Sequence, residues 1–147
     1  MTIQRTEAPV LRRFLLANAV FSGLSGTVAL FAADGVADLL FARGFSFLGL
    51  TASGLVLEIG IILLIFAGLV FFTARRETLK PSWVKAIIVA DLLWVVDSVA
   101  ALLFFPHYLT GIGIGIVLAL TLAVLLFAAG QIVGLGQAKA DAVAQPA

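Results

Sequence analysis

The chain has 147 residues, of which 63% are apolar and only 12% charged, and its mean hydropathy is +1.20. Soluble domains carry roughly 25% charge, so this composition excludes an ordinary soluble fold and marks an integral membrane protein. Eight acids and nine bases leave a formal +1, so nothing points to nucleic acid, and with no Cys and a single His107 there is no disulfide and no His/Cys zinc set.

A helix rises ~1.5 Å per residue, so ~20 apolar residues cross a hydrocarbon core ~30 Å thick. Four such runs are predicted, Leu11 to Ala33, Gly49 to Ala74, Trp83 to Phe105 and Tyr108 to Leu135. Short connections make them an all-α, four-span antiparallel bundle, a single domain over residues 1–136. Asp34-Gly35, Arg75-Arg76, Pro106 and the group Gly134, Gly136 and Lys139 supply the stops. After a capping Asp34, Val36, Leu39 and Leu40 fall at helical spacing, which predicts a short helix lying at the outer surface between spans one and two. The Ala-rich residues 137–147 read as a disordered cytoplasmic tail. The first run is long for a signal-peptide core and no small-x-small site precedes Asp34, so it reads as a retained span.

Eight of the nine bases lie on one side: Arg5, Arg12 and Arg13 before span one, Arg75, Arg76, Lys80 and Lys85 at the second turn, and Lys139 after span four. Only Arg43 lies opposite, and the positive-inside rule then places both termini in the cytoplasm.

A helical wheel gives each span one expected inner face. In span one it carries Asn18, Ser22, Ser25, Ala29 and Ala33; in span two Thr51, Gly54, Glu58, Ile61 and Ile65; in span three Ala86, Ala90, Asp91, Trp94, Asp97, Ser98 and Ala101. Span four shows a small-residue ladder of Gly111, Gly115, Ala119 and Ala123, read as a surface for close helix approach and a reason to expect a homodimer. Gly111, Gly113 and Gly115 follow no strand, so a dinucleotide-binding reading is rejected. Trp83 and Tyr108 read as interfacial belt residues, and His107 as a solvated loop residue.

Three carboxylates, Glu58, Asp91 and Asp97, fall within the spans, and an acid at the bilayer centre costs about 2.5 to 3.5 kcal/mol. No base lies deep enough to pair with them. Two polar layers are expected. In the outer one Glu58 meets Asp97 beside Trp94 and the two acids share a proton, either as a helix lock or as a proton or cation site. In the inner one Asp91 reaches Asn18 and Ser22, with Ser98 close by, as a structural cluster. No nucleophile, metal set or oxyanion device accompanies these acids, so neither an enzyme nor a cofactor is expected.

The stretch Ala90-Asp91-Leu-Leu-Trp94-Val-Val-Asp97-Ser98, with Phe14-Leu-Leu-Ala-Asn18-Ala-Val-Phe-Ser22-Gly23 in span one and Ala74-Arg75-Arg76 closing span two, resembles a group of small, uncharacterised bacterial four-span integral membrane proteins. That resemblance implies a helix bundle in a bacterial cytoplasmic membrane and no particular activity. Small multidrug resistance transporters are a weaker comparison, since their membrane Glu lies in the first helix, where this chain has Asn18. The resulting expectation is a non-enzymatic membrane protein that packs with itself or with a membrane partner. The alternative is a proton-coupled exporter of apolar or cationic solutes built on Glu58 and Asp97.

Overall fold

The computed structural model describes residues 3–4 and 8–144. Four helices are long and apolar enough to cross a membrane: α1 (Pro9–Phe31), α3 (Ala52–Arg75), α4 (Pro81–Phe104) and α5 (Gly111–Ala144). A short α2 (Ala33–Leu40) follows α1 after one non-helical residue, so the chain bends at Ala32 and Asp34 lies in the first turn of α2 rather than closing α1. A tight hairpin, β2 (Ser46–Phe47) with β3 (Leu50–Thr51), leads into α3, and its turn needs the left-handed backbone of Gly49 (φ 83°). Opposite, β1 (Ile3–Gln4) pairs antiparallel with β4 (Thr78–Leu79) beneath the bundle, in the turn that joins α3 to α4. We call this the basic end and the α2/hairpin side the far end.

Helix α1 is the hub. It packs along α3 on one side and α5 on the other, and α4 packs mainly on α5, so α3 and α4 scarcely touch. The α1/α3 contact is close because small residues face each other: a Cβ on Gly26 would sit 2.9 Å from the Gly60 carbonyl oxygen, and one on Gly60 would sit 3.0 Å from the Ala29 Cβ. The α1/α5 contact follows the same logic, with Gly130 against the Phe14 ring and Gly134 against the Leu11 backbone. Phe21 meets Phe127 edge-on at 5.4 Å.

This packing corrects several expected faces. On α3 the buried residues include Val56, Gly60, Ala67 and Val70, whereas Ile61 and Ile65 point outward. Gly111, Gly115 and Ala119 are exposed and Ala123 is half-buried, so the first three ladder positions make no close approach among the described residues; Gly113, Gly130 and Gly134 provide the close approaches instead. Gly134 and Gly136 do not stop α5, and residues 137–144 of the expected disordered tail are helical. The reason is cover: Leu135 and Ala138 are buried in the same core as Ile3 and Leu79, so the β1/β4 floor supports the last turns. Residues 145–147 lie outside the described residues.

Arg12 fixes the basic end. Nearly buried, it donates from Nη1 to the Ala74 carbonyl and from Nη2 to the Glu77 carbonyl at 3.0 Å, placing a cation at the negative end of the α3 dipole. At the far end Thr110 caps α5, its Oγ1 accepting from Gly113 N at 2.8 Å while donating to the Leu39 carbonyl. Its backbone N–H donates to Leu40 O at 2.9 Å, tying α2 to the start of α5. Because the Gly26 approach is to backbone, Gly26→Val should lower the stability of the purified protein by about 1–3 kcal/mol. Gly68→Ala, in open space, should be neutral or stabilising; thermal unfolding in mild detergent by circular dichroism compares the two.

Candidate functional site

The polar centre of the bundle is built on Asp91, near the middle of α4 and only 3% exposed. Its Oδ2 accepts from Asn18 Nδ2 of α1 at 2.7 Å and from Gln131 Nε2 of α5 at 3.0 Å. Asn18 Oδ1 in turn accepts from Ser22 Oγ at 3.2 Å, one turn further along α1. Asn18 and Gln131 are both 0% exposed. One carboxylate therefore joins three helices through two side-chain amides, which in hydrocarbon have no water to turn to. Among the described residues Gln131 Oε1 is buried without a donor.

Local sequence explains why Asp91 is the acid that goes inside. The buried stripe of α4 is Val84, Ile87, Ile88 and Asp91, a set that spans roughly 100° on the wheel. That stripe includes Ile88, which is not on the expected inner face, and it is narrower than that face because α4 meets its neighbours along one seam. Trp94 lies at its edge, half-buried; Ser98 is also half-buried and outside the hydrogen-bonded cluster; Asp97 lies past the edge and is exposed. Gln131 was missed by sequence reading, although Gln131 is the one amide inside an otherwise apolar run of span four and was findable on that ground.

Glu58 and Asp97 do not meet. Glu58 is exposed on α3, Asp97 is exposed on α4, and neither makes a hydrogen bond or ion pair among the described residues. The expected outer layer with Trp94 is thus not assembled within one chain, because α1 rather than α4 packs on α3. At ~1.5 Å per residue both acids nevertheless lie about 10 Å inside the far ends of their helices.

Among the described residues no three His, Asp or Glu side chains group as metal ligands. A cavity of about 580 Å³ opens at the far end, lined by Asp38, Arg43, Phe45, Thr51 and Ser53 among others, and none of the three spanning acids lines it. No family model, curated protein or solved structure matches the chain.

The cluster predicts an asymmetry between two substitutions at Asp91. Asp91→Leu strands two buried amide N–H groups and should cost about 1–3 kcal/mol. Asp91→Asn keeps an acceptor for both and adds an N–H that Gln131 Oε1 can use, so it should stay within about 0.5 kcal/mol of the parent. Unfolding in detergent measures both, and equal losses would mean that the charge, not the hydrogen bonding, matters.

Proposed function

We propose that this is a non-enzymatic membrane protein that works by lateral association, with a second copy of itself or with a membrane partner. It belongs, on this reading, to a bacterial cytoplasmic membrane with both termini on the cytoplasmic side, as Arg12, Arg13, Arg75, Arg76, Lys80, Lys85 and Lys139 at the basic end favour.

The observation that carries the reading is the outward placement of Glu58 and Asp97. Ionisable residues within spans face a bundle interior or a watery cavity almost without exception, because lipid offers them neither solvation nor partners. Here two helices present acids at similar depth on surfaces that the chain leaves uncovered. Association covers them, and a second copy has the right chemistry: Glu58 of one copy can meet Asp97 of the next and share a proton across the interface. A proton-coupled exporter would need that same meeting, since a single copy does not contain the paired site. The exposed Gly111, Gly115 and Ala119 ladder offers an additional flat surface for a neighbouring helix.

Single-molecule photobleaching in liposomes, with native mass spectrometry from mild detergent, tests the proposal. The parent chain should be multimeric or hold a stoichiometric membrane partner, and Glu58→Leu with Asp97→Leu should shift it to a monomer without loss of helicity. A parent chain that is monomeric and partnerless in both measurements would contradict it.

A further inference from the structure

Away from the polar cluster, a concentration of polar side chains without hydrogen-bond partners among the described residues lies in the turn between α3 and α4 at the basic end. Arg76, Thr78, Lys80 and Trp83 line a cavity of about 80 Å³, and Leu69 and Phe72 form its apolar wall. A guanidinium, an ammonium, a hydroxyl and an indole N–H are all hydrogen-bond donors. Among the described residues, the Arg76 and Lys80 side chains make no hydrogen bond or ion pair. Among the described residues no carboxylate lines the cavity; neighbouring Glu77 instead contributes its backbone carbonyl to Arg12.

The backbone beneath these donors is anchored. Arg12 holds the Ala74 and Glu77 carbonyls, β1 pairs with β4, and Leu79 is wholly buried. About one turn into the span, Phe72 (70% exposed) and Leu69 (55% exposed) carry the wall onto the lipid-facing side of α3. Donors therefore sit at the membrane surface with an apolar face directly below them.

We infer that this cavity binds the phosphate headgroup of an anionic phospholipid, with Arg76 and Lys80 on the phosphate and Phe72 and Leu69 against the acyl chains. Basic pockets between spans on the cytoplasmic side take such headgroups, and each base near the surface adds to the attraction. A soluble phosphate would satisfy the donors but would make no use of Phe72 and Leu69.

Trp83 supplies the reporter, because Trp94→Phe leaves it as the only tryptophan. In phosphatidylcholine vesicles, a small fraction of phosphatidylglycerol with brominated acyl chains should quench Trp83 about fivefold more than the same fraction of brominated phosphatidylcholine. Arg76→Gln with Lys80→Gln should bring that ratio to about one. Arg75→Gln with Lys85→Gln should leave it unchanged, since neither residue lines the cavity and Arg75 lies over the Phe71 ring. Native mass spectrometry of the chain with both tryptophans repeats the comparison: phosphatidylglycerol adducts should persist, and should disappear in the Arg76/Lys80 variant. Equal quenching by the two lipids, or equal loss in both paired variants, would overturn the site, the latter by showing a diffuse surface charge. Removal of the preference by excess inorganic phosphate would overturn it in favour of a soluble ligand.

Discussion

Everything in this bundle hangs on the rule that a polar side chain in hydrocarbon must find its partner inside the protein. Asp91 satisfies that rule by accepting from Asn18 and Gln131, which lie on two other helices. The two bonds set the rotation of α1, α4 and α5 about their axes, since turning any one by a residue removes a partner and leaves a carboxyl or amide group facing lipid. With that rotation fixed, Leu11 and Phe14 fall against Gly134 and Gly130, and the opposite side of α1 presents Gly26 and Ala29 to Gly60 of α3. Dispersion between closely approaching backbones then supplies what burial of apolar area cannot supply in lipid.

The two ends serve different purposes. At the basic end, the α3 C-terminus, the β1/β4 pair and the final turns of α5 close over one apolar cluster, with Arg12 clamped between carbonyls. That anchoring leaves the Arg76, Lys80 and Trp83 side chains exposed and without hydrogen bonds among the described residues. At the far end Phe41 stacks on Phe45 at 4.3 Å, and Phe45 meets Tyr108 at 5.5 Å. Together with Thr110 they tie α2 and the hairpin to the α4/α5 connection, so the far-end cap belongs to the bundle and is not a free loop.

The four spans were legible because an apolar run of ~20 residues between charges matches the thickness of the bilayer and exceeds what the core of a small soluble domain can cover. The short α2 was legible from the spacing of Val36, Leu39 and Leu40, and Asn18, Ser22 and Asp91 could be placed on inner faces because a polar group in a span has few tolerable orientations. Where polarity gave no guidance, the wheel failed. Helix α3 is apolar all round, so its few polar residues were read as its inner face, while the contact was decided by Gly60 and Ala67. In α5 the glycines occur at several helical angles, and only the positions of Leu40, Phe14 and Leu11 distinguish Gly113, Gly130 and Gly134 from the exposed ladder. Which spans are neighbours is likewise absent from local sequence, and that single unknown separates Glu58 from Asp97.

The central claim is that Asn18 touches Asp91 within the bilayer, and the sequence makes it directly measurable because Asn18 is the only asparagine. Solid-state NMR of the protein in lipid, with ¹⁵N-asparagine and ¹³C-aspartate labels, reads the dipolar coupling between the Asn18 side-chain nitrogen and an aspartate carboxyl carbon. A hydrogen bond of 2.7 Å places that carbon within about 4 Å of the nitrogen, so strong dephasing that vanishes in Asp91→Leu is predicted. Absence of dephasing, with the nearest carboxyl carbon beyond about 6 Å, would contradict the helix arrangement derived from it.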